Sequence, residues 1–420
     1  MMKRRDFLKT SALVTAAMTV PLRNAAATAG QTTVKKYQSL GKTGLKMSDI
    51  SLGCGQLPAP SLVLRAIDRG INYLDTAPDY GPSEDYIGEA MSKIQRDKII
   101  LASKFCRAER GGHLAPGSRK EAYIHAVEES LTRLKTDYLD ICFVHAIGSV
   151  SSDLDKEKAR LFDEGLFSAV EALKKAGKIR FLAVSSHGEH HMEELLMAAV
   201  KSGHYDVIMP SFNFMTFFNI PLVLADAKKA VQAETKKDRS GITSLDLIKE
   251  AKQRGVGVVA MKTLAGARDL EFEKEGVPFQ PAAFKWTLSH PEISGLVVTM
   301  KTVAQLDFYL SASGESLKTA DRQILHRYAA THSNTYCRTG CSQCGSICPK
   351  GVEMAKALRY QMYFKDYGME KRAMGSYGLL KGNAAPCATC EEVFCAGLCP
   401  YGLPLRALLQ DAHESLSFTV

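Results

Sequence analysis

Short apolar segments alternate with amphipathic stretches of helical spacing from about residue 38 to residue 302. Eight of the segments are predicted to be strands: Met47–Leu52, Asn72–Asp75, Ile99–Lys104, Leu139–Val144, Phe181–Ser185, Val207–Ser211, Val256–Met261 and Gly295–Thr299. Strands that alternate with helices form a parallel sheet, and eight repeats predict closure into a (β/α)8 TIM barrel of the α/β class. An open doubly wound sheet is the alternative. It needs a glycine-rich phosphate loop after its first strand, and Gly53-Cys54-Gly55 supplies only two glycines.

Helical patterns follow most of these strands, and several end at a glycine, which is a common C-terminal cap. The predicted helices are Leu62–Arg69, Lys120–Leu134, Phe167–Lys175, Glu193–Ser202 and Leu245–Arg254. Two stretches, residues 212–241 and 264–280, interrupt the alternation. Both follow the C-terminal ends of strands, where barrels place their active-site loops. Simple variation in loop length explains these stretches equally well.

The N-terminus has the three parts of an export signal in the usual order. Arg4 and Arg5 form a basic block, Ser11–Val20 is a short apolar run, and Ala25-Ala26-Ala27 offers a cleavage site. The arginine pair followed by Phe-Leu-Lys resembles twin-arginine signals, which are recognised by an export machinery that carries folded proteins. Residues 1–29 are therefore predicted to be a signal peptide and the protein to be periplasmic or otherwise exported. A disordered basic tail is the alternative.

Composition and charge limit the classes of partner. The net charge is +9, and the first 27 residues hold five basic side chains against one acidic one. Because no arginine-rich block with interleaved aromatic residues follows, nucleic acid is not a predicted partner. No later stretch approaches 18 consecutive apolar residues, so the mature protein is expected to be soluble.

Four ionisable residues lie at or just beyond the ends of three consecutive predicted strands. They are Asp75, Tyr80, Lys104 and His145. Strand ends converge on one mouth of a barrel, so these side chains are expected to meet. Reducing a carbonyl needs a hydride on carbon and a proton on oxygen. An ammonium beside a phenol is expected to lower the pKa of the phenol and make it a better proton donor, while His145 orients the substrate oxygen.

These four residues, within a segment that reads Leu-Asp-Thr-Ala-Pro-Asp-Tyr-Gly, resemble the catalytic Asp, Tyr, Lys and His of the aldo/keto reductase family. The resemblance covers roughly residues 36–310. It implies NADP(H)-dependent reduction of a small aldehyde or ketone, or oxidation of the corresponding alcohol. It also implies that nicotinamide binds at the barrel mouth without a Rossmann fold.

The cofactor positions of that family match less closely. The family has a Ser-Asn pair after strand five, and Ser185-Ser186 keeps only the serine. Met261 stands where the family has an aromatic residue, and Lys301 supplies charge from a non-matching position. The resemblance therefore implies Ser185, Ser186, Met261 and Lys301 as cofactor contacts. Other cofactor positions of the family carry different residues here: Met209, Gln305, Phe308 and Tyr309.

Eight of the 11 cysteines fall between residues 337 and 399, in two motifs that each end in Cys-x3-Cys-Pro. Thiolates are soft ligands that suit iron–sulfur clusters. The predicted ligands are Cys337, Cys341, Cys344 and Cys348 in the first motif, and Cys387, Cys390, Cys395 and Cys399 in the second. Zinc is the main alternative, and disulfides are another in an exported protein. The remaining three, Cys54, Cys106 and Cys142, are predicted to be small core residues.

The cysteine motifs resemble those of bacterial two-cluster ferredoxins, although their internal spacings are longer. The resemblance implies two 4Fe-4S clusters, and it implies that the last cysteine of each motif serves the other cluster. Two ligand sets follow from that crossover: Cys337, Cys341, Cys344 and Cys399 for one cluster, and Cys387, Cys390, Cys395 and Cys348 for the other.

Three domains are therefore predicted. Residues 1–29 are the signal peptide, residues 30–330 the barrel, and residues 331–420 a small, mainly helical, ferredoxin-like domain that begins after a helix around Ser316–Tyr328.

Three functions are compatible with this organisation. The first is an exported carbonyl reductase whose clusters exchange electrons with an electron-transfer protein or a quinone-linked partner. The second is an electron-transfer protein whose barrel no longer uses nicotinamide, and the third is a reductase stapled by zinc. The intact set of four favours the first, whereas the altered cofactor positions favour the second.

Overall fold

The computed structural model describes residues 32–109, 112–187, 190–217, 241–265, 278–332, 337–338, 341, 344, 347–392, 394–399 and 401–417. The predicted signal peptide lies outside these residues, as does most of each of the two predicted interruptions, 212–241 and 264–280.

Eight parallel strands close into a barrel, which confirms the predicted fold and excludes the open sheet. Around the barrel the strands are β3 (Ile50–Gly53), β4 (Tyr73–Asp75), β5 (Ile100–Phe105), β6 (Leu139–Val144), β7 (Ile179–Ser186), β8 (Val207–Pro210), β9 (Gly257–Ala260) and β10 (Gly295–Thr299). The barrel closes where Leu296 of β10 pairs with Ile50 of β3.

The first predicted strand, Met47–Leu52, is divided between two elements. Its early residues lie in β2 (Lys46–Ser48), which pairs antiparallel with β1 (Tyr37–Ser39) as a separate two-stranded sheet. Only its later residues enter the barrel as β3.

The described helices of the barrel region are α1 (Pro60–Asp68), α2 (Ser83–Met91), α3 (Lys120–Leu134), α4 (Leu154–Leu161), α5 (Glu164–Lys175), α6 (Met192–Ser202), α7 (Ser244–Gln253), α8 (Gln280–Leu288), α9 (Val303–Leu310) and α10 (Thr319–His332). Of these, α1, α3, α5, α6, α7 and α10 lie close to predicted helices, whereas α2, α4, α8 and α9 were not predicted. None of the helices in the described part of the chain is long and apolar enough to cross a membrane.

Strand β6 shows how the barrel is filled. Ile141 and Phe143 point into a core inside the barrel, whereas Cys142 and Val144 belong to the larger core between strands and helices. Both faces of such a strand are buried, which explains its nearly continuous apolar sequence. Cys54, Cys106 and Cys142 are fully buried, as expected of core residues.

The cysteine-rich region has an apolar core of its own, made of residues from Cys337 to Leu416. Its helices are α11 (Met354–Lys365), α12 (Glu370–Gly378) and α13 (Leu405–Leu416), and its described residues contain no strand. Helix α10 ends at His332, later than the predicted Tyr328, and packs Leu325 against the barrel side of the molecule. The division near residue 330 stays a prediction.

Helices α2 and α3 approach each other closely at Gly88, so a larger residue there is expected to lower the stability of the fold. A Cβ at residue 88 would lie 2.1 Å from the carbonyl oxygen of Arg133, so the helices must separate in Gly88→Ala. The variant is expected to lose about 1–3 kcal/mol of unfolding free energy in urea titrations. Gly378→Ala is the control, because a Cβ there meets nothing within 4 Å. Equal stability of both variants would contradict the described packing.

Candidate active site at the barrel mouth

Three neighbouring strands bring the predicted catalytic residues to one end of the barrel. Asp75 ends β4, Lys104 is the penultimate residue of β5, and His145 follows the last residue of β6. The strands pair in parallel, with Asp75 opposite Ala102 on β5. Tyr80 lies in the loop after β4. The parallel register therefore turns residues far apart in sequence into neighbours.

Lys104 makes a buried ion pair with Asp75. Its Nζ donates to both carboxylate oxygens at 2.9 Å and to the carbonyl oxygen of Thr76 at 2.8 Å. The three N–H groups of the ammonium are therefore satisfied. Burial lowers the pKa of Lys104, but Asp75 and Tyr80 outweigh that effect and raise it above its usual value. Burial also raises the pKa of Asp75, against the opposing effect of Lys104.

Tyr80 lies beside both Lys104 and His145. The Lys104 Nζ is 5.0 Å from the centre of the tyrosine ring, and the ring meets that of His145 edge-on at 5.8 Å. The predicted lowering of the Tyr80 pKa is wrong: burial raises the pKa, and the opposing effect of Lys104 is smaller. Asp75 and Asp79 raise it further. The phenol therefore holds its proton firmly until a reacting group takes it.

His145 is almost fully buried within a group of histidine rings. The ring of His113 lies 4.8 Å away and that of His187 6.0 Å away. Burial lowers the pKa of His145 well below its usual value, and the positive charge of Lys104 lowers it further. A neutral imidazole offers one hydrogen-bond donor and one acceptor. Arg160 donates to the His145 carbonyl at 3.0 Å and holds the backbone there.

A cavity of about 470 Å³ opens beside Tyr80 and Asp75. Met261 and Lys301, two of the four predicted cofactor contacts, also line this cavity. Three of the residues predicted as departures from the cofactor pattern also line it: Met209, Gln305 and Tyr309.

The other two predicted cofactor contacts, Ser185 and Ser186, do not line this cavity. The Ser185 hydroxyl accepts from the backbone N–H of Ala146 at 3.1 Å. The Ser186 hydroxyl donates to the carbonyl oxygen of Ile147 at 2.8 Å. Both side chains therefore fasten the loop that follows β6, directly after His145. Whether they also reach a cofactor stays a prediction.

Residues of the cysteine-rich region form the opposite wall of the cavity. They are Tyr363, Asp366, Tyr367, Met369 and Arg372. The Nζ of Lys262 donates to the Tyr363 hydroxyl at 3.4 Å, and the Gln56 amide lies 3.0 Å from the Met369 sulfur. These residues, as well as His187 and Lys262, were not predicted from the sequence. No motif marked them, since their role depends on how the two regions pack together.

Four of the eight clustered cysteines line a second cavity: Cys348, Cys387, Cys390 and Cys395. These four come from both motifs. Burial and the charges of Cys348, Cys395 and Cys390 raise the pKa of Cys387 to about 11. In the other group, burial and the charges of Cys341, Cys344 and Cys399 raise the pKa of Cys337 to about 12, with Arg359 opposing. All eleven cysteines are free. Cys348 of the first motif thus lies beside three cysteines of the second motif. The crossed ligand sets stay a prediction.

The comparisons with known proteins agree with the barrel. Residues 58–328 match the aldo/keto reductase family, and residues 1–21 match the twin-arginine translocation signal sequence. The uncharacterized oxidoreductase YqkF of Bacillus subtilis (strain 168) is 29% identical over 286 residues, covering 64% of this chain and 89% of that protein. L-galactose dehydrogenase of Arabidopsis thaliana is 25% identical over 317 residues, covering 67% and 88%.

A solved structure of a putative aldo-keto reductase from Pseudomonas aeruginosa superposes with a TM-score of 0.51 at 23% identity, covering 69% of this chain and 98% of that one. At that identity the likeness shows the fold alone. Together these findings define an exported oxidoreductase built on a (β/α)8 barrel. The chain belongs to the aldo/keto reductase family, and the cysteine-rich region lies beyond the residues that match it.

The lowered pKa values of His145 and His187 allow a prediction of how the free energy of unfolding depends on pH. Burial lowers the pKa of both His145 and His187, so both stay neutral in the folded protein while the unfolded chain binds protons below about pH 6.5. The free energy of unfolding is therefore expected to fall as the pH drops through that range. His187→Gln removes one such group and should flatten the fall in urea titrations. His125→Gln, on an exposed face of α3, is the control. A slope in His187→Gln equal to that of the wild type would argue against a buried neutral histidine.

Proposed function

We propose that this protein reduces a small aldehyde or ketone, or oxidises the corresponding alcohol, at Tyr80, with NADP(H) bound in the cavity beside it. Bound NADP(H) supplies or accepts the hydride. The observation that carries the proposal is the buried Lys104–Asp75 ion pair directly against Tyr80 at the cavity wall.

The cavity residues suit a phosphorylated nucleotide in their charge. Lys262, Lys301 and Arg372 line the cavity and give it three cationic side chains. Met209 and Met261 supply polarisable apolar surface on the barrel side, which is compatible with a flat aromatic ring. Only the serine of the family's Ser-Asn pair is kept, as Ser185, so the amide of nicotinamide would lack the asparagine here.

Each catalytic residue has one task in this proposal. Tyr80 donates its proton to the oxygen of the carbonyl as the hydride arrives on carbon. Burial raises the pKa of Tyr80, so the Lys104 ammonium is needed to stabilise the phenolate that forms. Asp75 keeps Lys104 charged and in place. Neutral His145 donates to the same carbonyl oxygen and fixes its position.

We further propose that the two groups of cysteines hold two 4Fe-4S clusters, with the ligand sets crossed between the motifs. Bound clusters supply single-electron transfer with an external electron-transfer protein or quinone-linked partner. The donor chemistry fits, because four thiols from two motifs line one cavity. Residues 331–420 are then the cluster domain and residues 30–330 the reductase barrel.

Helix α11 supports a coupling between the two cavities. Met354, its first residue, lines the cavity of the cysteines, and Tyr363 lines the cavity at the barrel mouth. Nine residues of α-helix span about 14 Å. The two cavities therefore lie at the two ends of one rigid element.

Two specific observations favour a second function. The hydroxyls of Ser185 and Ser186 are engaged by the backbone, and the cysteine-rich region forms one wall of the barrel cavity. Both features suit an electron-transfer protein whose barrel no longer uses nicotinamide. NADPH binding to the purified protein separates the two, because only the reductase requires it.

Tyr80→Phe tests the role of the phenol. The variant is expected to lose about 10²- to 10⁴-fold in the rate of aldehyde reduction, because a phenylalanine ring has no proton to give to the carbonyl oxygen. Tyr73→Phe is a matched control: Tyr73 is fully buried and its hydroxyl has no hydrogen-bond partner among the described residues. Steady-state rates with NADPH measure both variants. Equal turnover by Tyr80→Phe and wild type would remove the tyrosine from the mechanism.

The crossed ligand sets are tested by pairs of alanine substitutions and by iron analysis after anaerobic reconstitution. Cys348→Ala and Cys387→Ala should each lose about half of the iron, and the double variant no more, since both serve one cluster. Combining Cys348→Ala with Cys344→Ala should lose nearly all of it. Cys142→Ala in the barrel core should retain it.

The reverse pattern, in which Cys348 and Cys344 behave as one unit, would show that each motif holds its own cluster. Zinc in place of iron in the protein as isolated would favour the zinc-stapled alternative.

A further inference from the structure

Two polar side chains lie with His145 beside Tyr80, and neither the catalytic proposal nor the cysteine motifs give these two, Asp79 and His113, a role. Asp79, His113 and His145 each offer a ligand atom, and these atoms all lie within 4.8 Å of one another. Asp79 lies in the loop after β4, His113 beyond the end of β5, and His145 at the end of β6. Three consecutive strand ends thus each contribute one group.

The spacing of these atoms suits a shared cation better than direct contact. Nδ1 of His145 lies 3.6 Å from Oδ1 of Asp79, which is too long for a hydrogen bond. Two ligands bound to one zinc ion at tetrahedral angles lie about 3.4 Å apart. The Nδ1 atom of His145 is buried and has no hydrogen-bond partner in the part of the chain that the structure describes.

The surroundings hold two of the three groups in place. The Cys106 thiol donates to Oδ1 of Asp79 at 3.6 Å, and a backbone bridge between Cys106 and His113 fixes the segment that carries that histidine. Ligands of metal sites are oriented by such supporting contacts. Contacts with Cys106 therefore help to hold both Asp79 and His113 in place.

We propose that Asp79, His113 and His145 bind one divalent transition cation of the zinc or ferrous class. Two imidazoles and one carboxylate suit these ions, and three protein ligands leave at least one position for water or substrate. The site is separate from the cysteine groups, because it contains no sulfur ligand.

Such a cation would fix the form of His145. Coordination through Nδ1 leaves the ring proton on Nε2, so the imidazole acts as a donor on its other side. This consequence rests on the proposed function, in which His145 donates to the carbonyl oxygen. The binding itself does not rest on it.

Zinc ion alone is the probe, added to the full-length protein with its cysteine sites loaded with iron. Zinc per chain is measured after dialysis, and zinc-edge X-ray absorption gives the ligand type. We expect one zinc per chain with nitrogen and oxygen ligands at about 2.0–2.2 Å and no sulfur at about 2.3 Å. His113→Ala should weaken zinc binding at least about tenfold.

His125→Ala is the matched control, because this histidine is exposed on α3, with its only described ion pair to Glu129. It should bind zinc as the wild type does. Asp79→Asn provides a second variant of the same shape and should also weaken binding, which covers a loss of folding in His113→Ala.

Two results would overturn the site: zinc held only by sulfur, or zinc affinity unchanged in His113→Ala and Asp79→Asn. Carbonyl turnover is not a readout here, so a failure of the site leaves the test of Tyr80 intact.

Discussion

The buried ion pair between Lys104 and Asp75 is the interaction on which the rest of the site depends. An ammonium taken out of water loses several kcal/mol of hydration, and only a close, fully bonded partner repays that loss. Here the two carboxylate oxygens and the Thr76 carbonyl satisfy all three N–H groups. The fixed positive charge of Lys104 at the barrel mouth therefore affects the pKa values of neighbouring ionisable groups.

Its effects reach Tyr80 and His145 in different ways. For His145 the charge of Lys104 acts in the same direction as burial, and both lower its pKa. For Tyr80 the two oppose each other and burial prevails, so the pKa of the phenol is raised. The resting site thus holds a protonated phenol and a neutral imidazole. In the function that we propose, this pair donates to the carbonyl oxygen as negative charge develops on it, and the Lys104 ammonium contributes most at that moment.

The cysteine-rich region completes the cavity that the barrel begins. Tyr363, Tyr367 and Arg372 come from helices α11 and α12 or the turn between them, and they face the strand ends of the barrel. A ligand in the cavity therefore contacts both regions. The cysteine-rich region thus forms part of the cavity wall, in addition to the cluster role that we propose for it.

Much of this architecture could be predicted from sequence, because the signals are local. The buried strands are continuous apolar runs, and Lys104 and His145 stand out as ionisable residues at their ends. The crossover of Cys348 and Cys399 is implied by the resemblance to ferredoxins alone and stays a prediction. Other features depend on tertiary packing, which no local pattern encodes. These include the sign of the Tyr80 pKa shift, which burial decides, and the backbone partners of Ser185 and Ser186.

The residues of α11 and α12 at the cavity could not be predicted for the same reason. They carry no motif, and their position depends on how a separate apolar core docks on the barrel. The division of the first predicted strand into β2 and β3 also depends on tertiary packing, because the early residues pair with β1.

Transfer of a labelled hydride from NADPH tests most directly whether Tyr80 and Lys104 act together in carbonyl reduction. NADPH carrying deuterium at the transferred position is incubated with an aldehyde and the holoenzyme, and the alcohol is analysed by mass spectrometry. We expect one deuterium per alcohol with the wild type. With Lys104→Met we expect almost no labelled alcohol, because the phenolate of Tyr80 then lacks the neighbouring ammonium. Equal labelling by the two proteins, or no label with the wild type, would contradict this expectation.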